Sequence, residues 1–469
     1  MVEKVLEKLA LDKKPSQGTV TGNAPVVTTT HYPMGKNGLF DDIDQAIKAG
    51  FDAQQRLAKT SLEVRNRAIA AIRKVVNEHA KDFAVRAVKE TGMGRVADKI
   101  IKNQIAANNT PGTEILRPLA FSGDNGLTIT ERAPWGVIAS ITPTTNATET
   151  IVNNGIGMLA AGNAVVFNLH PRAKRVGAYA IRLLNQAIVE AGGPDNCMSA
   201  LVDPTIESAQ RLMKHQGINL IVVTGGPAVV KSAMNMGKKC IAAGPGNPPV
   251  VVDETADIKK AARHIIDGAS LDNNIVCIVE KVIIVVDAVA DELKRELVRQ
   301  GAYPIRESLV PKVVKQVING KEANKDWVGK NVNVIMKPHG INLSDDVRLA
   351  FAEVDEDHPL TQVEQLMPVL PFVHARNWEE AVAMAVRVEH GFHHTAVMHS
   401  LNVEHLHTFA RAANTSIFVK NGPSYSGLGL GGSGYGSWTI ASPTGEGLTT
   451  ALNFTRERRC TLKDYFRIV

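Results

Sequence analysis

Short apolar runs, mostly β-branched, alternate along this chain with helix-like stretches, and that rhythm restricts the fold more than any other feature. Residues 136–140, 164–167, 200–202, 220–223 and 250–253 form such runs, and 172–190, 205–215 and 228–236 carry helical periodicity between them. A strand that is apolar on both faces must be covered on both, which a parallel sheet wrapped by helices provides. A second alternating series begins at 281–286 and resumes at 369–373, 396–398 and 417–419. Two α/β units are therefore expected, meeting near 240–247. Helical periodicity dominates 40–86. Residues 127–131, between Gly126 and Pro134, read as a strand outside this rhythm, as does the tail after Gly447; either suits a small extra sheet.

Length and charge narrow the function classes. With 469 residues there is room for two or three domains and a large core. No apolar run approaches the ~18 residues of a membrane helix, and no apolar secretion signal opens the sequence, so neither membrane insertion nor export is expected. Lys and Arg number 53 against 47 Asp and Glu, a surplus of 6 that forms no basic tract, and nucleic-acid binding has no support. The four cysteines, Cys197, Cys240, Cys277 and Cys460, show neither paired spacing nor a His cluster in ligand register. No metal site is expected, and a reducing cytoplasm fits. At the start, Val2, Val5, Leu6 and Leu9 line one face of a short helix opposite Glu3, Lys4, Glu7 and Lys8. Residues 12–32, rich in Pro, Gly, Thr and Ser, read as a linker. A helix as short as 1–11 is marginal alone: it either docks on a partner surface or frays.

Several motifs carry potential chemistry. Gly427, Gly429 and Gly432 match G-x-G-x-x-G, but more Gly and Ser, Trp438 and Pro443 follow instead of a helix. A dinucleotide fingerprint must open a helix so that its amide dipoles meet the pyrophosphate, so this stretch reads as a loop. Thr224-Gly225-Gly226-Pro227 is the better candidate, since it follows a strand and opens a helix with Pro227 in the first turn. Many other strand-to-helix turns look the same. Thr142-Pro143-Thr144-Thr145-Asn146 also joins a strand to a helix, around 148–159, where Asn146 alone could be a cap. Cys277 lies in Asp272-Asn273-Asn274-Ile275-Val276-Cys277, and a lone cysteine beside Ile and Val is more often packing than nucleophile. Gly244-Pro245-Gly246-Asn247-Pro248 makes a rigid turn into a strand. Glu364 sits among apolar residues, and His394 stands at a strand start.

Taken together, these segments resemble the aldehyde dehydrogenase superfamily, in matching order from about Phe40 onward. The carrying stretches are Glu90-Thr91-Gly92-Met93-Gly94, Ala133-Pro134-Trp135-Gly136-Val137, Val223-Thr224-Gly225-Gly226, Gly246-Asn247-Pro248-Pro249, Met367-Pro368-Val369-Leu370-Pro371 and Pro443-Thr444-Gly445-Glu446-Gly447. They are most similar to coenzyme A-acylating propionaldehyde and acetaldehyde dehydrogenases of bacterial microcompartments. The resemblance implies an α/β fold: a Rossmann-like cofactor domain (33–116 and 135–242), an α/β catalytic domain (243–440) and a small oligomerisation β-hairpin with its partner strand (117–134 and 441–469). It implies Cys277 as nucleophile and the Asn146 amide as oxyanion donor. It also implies cofactor contacts at Thr142, Pro143, Asn168, His170, Gly225, Gly226, Gly246 and Glu364, with His394 as an additional polar group.

The sequence departs from hydrolytic members of that superfamily in two places. Where they carry a water-activating glutamate, this chain has Ala243, and where they commonly carry a ribose-binding lysine, it has Asn168. Hydrolysis of a thioester needs a positioned base, whereas a thiol of pKa near ~8.5 is already partly thiolate at neutral pH and strongly nucleophilic. The expected reaction is thus oxidation of a short aldehyde with NAD and coenzyme A, through a thiohemiacetal and then a thioester on Cys277. The alternatives are a phosphate-dependent semialdehyde dehydrogenase and a non-catalytic nucleotide-binding scaffold. A homodimer or homotetramer is expected. The helix at 1–11 resembles segments that engage microcompartment shell proteins, which implies a location in the cytoplasm and within such a shell.

Overall fold

The computed structural model of the chain describes residues 37–469; the helix expected at 1–11 and the linker at 12–32 lie outside them. In chain order the strands are β1 (Leu39–Phe40), β2 (Leu119–Gly123), β3 (Gly126–Pro134), β4 (Val137–Ile141), β5 (Ala164–Asn168), β6 (Met198–Leu201), β7 (Leu220–Thr224) and β8 (Lys239–Ala243). They continue as β9 (Pro249–Val252), β10 (Val282–Val286), β11 (Tyr303–Pro304), β12 (Ile318–Asn319), β13 (Glu322–Ala323), β14 (Ala350–Glu353), β15 (Val369–Ala375), β16 (Thr395–His399) and β17 (Ile417–Lys420). The last are β18 (Ile440–Ala441), β19 (Gly447–Leu448) and β20 (Thr455–Lys463).

Two parallel sheets dominate. The first runs β1-β6-β5-β4-β7-β8 and the second β11-β14-β15-β10-β9-β16-β17. Their central strands are buried from end to end, as the unbroken apolar runs require. Helices Ile43–Leu57, Ala147–Ala160 and Lys174–Glu190 cover the first sheet, and Ile258–Ala269, Trp378–Val388 and Val403–Ala413 the second. Each helix of the second group starts on a side-chain cap: Asp257 accepts from Lys260 N–H, Asn377 from Glu380 N–H and Asn402 from Glu404 N–H. The α/β, aldehyde dehydrogenase-like fold read from the sequence is the fold observed.

Some details differ from expectation. Phe40 belongs to the edge strand β1, not to a helix, because its backbone pairs with Leu201. The run 250–253 was grouped with the first series, yet β9 is central in the second sheet, between β10 and β16. Asp253 falls just beyond that strand. Strand β8 was not foreseen, since its Lys239 and Cys240 break the apolar run, and it extends through Ala243.

Strands β2, β3 and β20 form a separate antiparallel sheet in which the tail pairs along the full length of β3, from Thr455 opposite Pro134 to Lys463 opposite Gly126. Asn163 ties it to the first sheet. Its Oδ1 accepts from Trp135 N–H at 2.7 Å and Gly136 N–H at 3.0 Å, while its Nδ2 donates to the Phe454 carbonyl at 2.9 Å. Three distant segments converge on one buried amide, and leaving buried partners unpaired costs ~1–3 kcal/mol each. Asn163→Leu is therefore expected to lower unfolding stability by about 3 kcal/mol or more, with the fold retained. Urea denaturation followed by circular dichroism measures this; a variant within 0.5 kcal/mol of wild type, roughly the level of a neutral surface change, would refute it.

Candidate functional site

Loops leaving the carboxyl ends of the first sheet meet loops entering the amino ends of the second. Residues 142–146 follow β4, Asn168 ends β5, Gly225 and Gly226 follow β7, and Ala243 ends β8. Gly246 precedes β9, Cys277 precedes β10, Glu364 precedes β15 and His394 precedes β16. A Cβ on Gly246 would lie 2.9 Å from the His394 ring and 3.1 Å from the Cys277 carbonyl, so only glycine lets these three loops touch. The expected site residues thus come from the strand ends of both sheets, and Gly246, Cys277 and His394 lie against one another.

Cys277 is not a packing cysteine. Residues 271–280 are all buried except Cys277, which alone reaches solvent, whereas Cys197 is the buried thiol. The preceding turn is unusual: Asp272, Asn273 and Asn274 are all left-handed, with φ of 50°, 54° and 67°. Asn and Asp tolerate that conformation best among non-glycine residues. Asn274 Nδ2 donates to the Ala269 and Glu280 carbonyls, and the fully buried Lys281 closes the loop by donating to Asn274 Oδ1 at 2.7 Å and to the Asn274 and Val276 carbonyls. Nothing in the local sequence marks Lys281, at the start of the 281–286 run, as the anchor of the nucleophile loop.

The electrostatics hold several groups near neutrality. Burial and the Glu364 carboxylate push the Cys277 thiol up to about 12, with Lys281 opposing them. Burial raises Glu364 to about 7, against the pull of Lys281 and a hydrogen bond from the Gly246 amide. Burial lowers His394 to about 4, so its ring is neutral at pH 7; Nδ1 pairs with Thr395 Oγ1 while Nε2 has no partner. Asn146 occupies the cap position of helix Ala147–Ala160 but does not cap it, contrary to the simpler reading of the sequence. Its Oδ1 is unpaired and its Nδ2 has only a 3.5 Å contact with Thr145 Oγ1. A buried amide left this free is available to a bound group.

The cofactor end has comparable features. Gly226 opens helix Pro227–Met234, and a Cβ there would meet nothing within 4 Å, so the protein does not itself demand glycine and a ligand can approach the backbone closely. Gly225 N–H is held by the Ala243 carbonyl, and Thr142 N–H by the Asn168 carbonyl. Pro143 is part-exposed beside them. The Asn168 side chain is committed, accepting from Ser208 Oγ at 2.6 Å and donating to the Thr205 carbonyl at 3.3 Å. The His170 ring accepts from Arg172 N–H. These residues fit a dinucleotide laid across the strand ends. Among the described residues, no group of three or more His, Cys, Asp or Glu could hold a metal ion, and no helix is long and apolar enough to cross a membrane.

Comparison with known proteins agrees with this geometry. The sequence pattern of the aldehyde dehydrogenase family matches residues 16–306. The chain belongs to the aldehyde dehydrogenase family. It is 50% identical to the acetaldehyde dehydrogenase (acetylating) of Salmonella typhimurium, over 100% of this chain and 99% of that one. Its structure is similar to a propionaldehyde dehydrogenase from the fucose utilisation bacterial microcompartment of Clostridium phytofermentans, with a TM-score of 0.91 at 48% identity, covering 92% of this chain and 100% of that one. A propionaldehyde dehydrogenase of Rhodopseudomonas palustris, solved with bound CoA and an acylated cysteine, has a TM-score of 0.90 at 45% identity, covering 91% and 98%.

Behind the nucleophile loop of this aldehyde dehydrogenase, Glu280 is fully buried, and burial pushes it up to about 7 although Ser424 N–H and Oγ donate to it. A carboxyl raised on folding favours the protonated native state, so its contribution is complete below the unfolded value near 4.5 and is lost as pH rises through about 7. Glu280→Gln, which keeps an acceptor and a donor for Ser424, is expected to flatten the fall in stability between those pH values by up to about 3 kcal/mol. Chemical denaturation at several pH values tests this; an unchanged slope would count against it.

Proposed function

We propose that the chain oxidises a short-chain aldehyde, propionaldehyde or acetaldehyde, to its acyl-CoA, using NAD and coenzyme A. The observation that carries this reading is a part-exposed Cys277 in an otherwise buried loop, together with an uncommitted Asn146 amide and an Ala243 that supplies no base for water. The relatives named above for acetylation, and the one holding both CoA and an acylated cysteine, support it.

In this reading Cys277 adds to the aldehyde carbonyl and forms a thiohemiacetal. The Asn146 amide and the Cys277 N–H hold the developing oxyanion. NAD, when bound, would take the hydride as the thiohemiacetal hydroxyl gives up its proton to solvent, and Gly225, Gly226, Glu364 and Thr142 are the residues that would hold it. The thioester left on Cys277 then meets no activated water. Asp253, just after β9, lies at that strand's far end and is bound to His405 at 2.7 Å and Thr255. The coenzyme A thiol attacks the thioester carbonyl, its proton passing by way of the neutral His394 ring to the departing Cys277 sulfur, so that the acyl group leaves as acyl-CoA and the Cys277 thiol is restored. Because acetyl and propionyl groups are uncharged, no acidic or basic specificity group is required.

Propionaldehyde is expected to yield NADH steadily only when coenzyme A is present. Cys277→Ala should reduce turnover by ~10⁴-fold or more, and Asn146→Ala by ~10²–10³-fold. Spectrophotometry and thioester detection decide it; free propionate formed equally fast without coenzyme A would end the reading.

We further propose that the enzyme assembles as a homodimer or homotetramer through β2, β3 and β20, and that residues 1–11 dock on a shell protein of a microcompartment. Support comes from the amphipathic pattern of Val2, Val5, Leu6 and Leu9 and from the microcompartment origin of a similar structure. Deleting residues 1–15 should abolish co-purification with shells while leaving turnover unchanged; equal encapsulation of the truncated enzyme would refute the docking role.

A further inference from the structure

Helix Val96–Asn108 turns two buried ammonium groups, Lys99 and Lys102, toward the turn that leads to Cys277. Lys99 Nζ lies 2.7 Å and Lys102 Nζ 2.6 Å from the same Asp272 carboxylate oxygen, and none of the three side chains is more than marginally exposed. Both lysines also reach the Thr145 carbonyl, Lys102 at 3.3 Å and Lys99 at 3.4 Å. Thr145 immediately precedes Asn146, and Asp272 opens the left-handed turn that leads to Cys277. Lys102 makes two additional contacts: Glu149 Oε1, in the first turn of the helix after Asn146, at 3.4 Å, and the face of Trp438 at 5.4 Å from the ring centre.

We propose that Lys102 is a positioning residue, which bridges the Asp272 carboxylate and the Thr145 carbonyl and so holds the Asn146 amide and the Cys277 thiol in one register. The inference rests on the acylating reading above for its activity assay. Asp272 is tied down from every side, which is what a reference point needs. Its other oxygen accepts from Arg95 N–H at 2.9 Å, and its own N–H donates to Asp98 at 2.8 Å. Gly94 has φ of +78° and would bring a Cβ to 2.0 Å from Asp272, so this glycine is required to let the helix approach. Charge is the alternative explanation for so many buried ions. Lys99, Lys102, Asp272 and Glu149 sum to zero, so Lys102 could serve only to neutralise its neighbours.

A pair of variants separates the two roles. Lys102→Met leaves one uncompensated negative charge and leaves only the longer Lys99 contact to Thr145; adding Asp272→Asn returns the buried sum to zero without restoring the Lys102 bridge. Full-length wild type is assayed first for NADH formation from propionaldehyde with and without coenzyme A. Lys102→Met is expected to lower kcat by ~10²-fold, the scale of a slight misplacement of reacting groups, with KM for NAD nearly unchanged. The double variant is expected to recover the melting temperature but to stay as slow. Recovery of kcat to near wild type in the double variant overturns the proposal in favour of simple neutralisation, and so does full activity of Lys102→Met. If Lys102→Met does not fold, the neutral double variant decides. A wild type that forms NADH without needing coenzyme A refutes the acylating reading alone, because the comparison of NADH rates still tests Lys102; a wild type that forms none overturns both.

Discussion

Everything in the cleft depends on a backbone turn that the chain would not adopt without help. Three successive non-glycine residues, Asp272, Asn273 and Asn274, are left-handed just ahead of Cys277. Each such residue carries a cost of order 1 kcal/mol, least for Asn and Asp. The cost is offset by buried partners: two lysines and an amide on Asp272, the Gly329 carbonyl and Asn331 on Asn273, and Lys281 with two carbonyls on Asn274. The result is a loop that is buried throughout except at one thiol. A nucleophile placed this way is rigid as well as accessible, and its reactivity is set by fixed neighbours rather than by solvent.

The same rigidity explains how an absence can select a reaction. Ala243 is buried at the end of β8, where its carbonyl holds Gly225. Glu364 is held by the Gly246 amide and opposed by Lys281, and Asp253 is bound at the wrong end of β9. A thioester at Cys277 would therefore wait for an acceptor that carries its own nucleophile. The neutral His394 ring, with an unpaired Nε2, is the remaining proton acceptor on that side of the cleft.

The sheets were legible because strand and helix signals are local. Runs such as 282–286 and 220–224 need only their own β-branched residues to be recognised, and the helices between them advertise caps and periodicity within a few positions. The strand at 239–243 was missed for the same reason, since Lys239 and Cys240 disguise an edge that is defined by pairing with β7. The candidate set Cys277, Asn146, Glu364, Gly225, Gly226 and Gly246 could be assembled from family resemblance, but not the reasons for it.

Composition and order alone determined that this chain would build two helix-covered parallel sheets and carry one polar turn before a single candidate cysteine. Those are properties of neighbouring residues. Tertiary structure decided that Cys277 stays part-exposed in a buried loop, that Asn146 leaves its amide free instead of capping a helix, and that Lys102 and Lys281, unremarkable in sequence, brace the loop. Lys102 reaches Asp272 across 170 positions, and no local pattern records a contact that exists only once the chain has closed on itself.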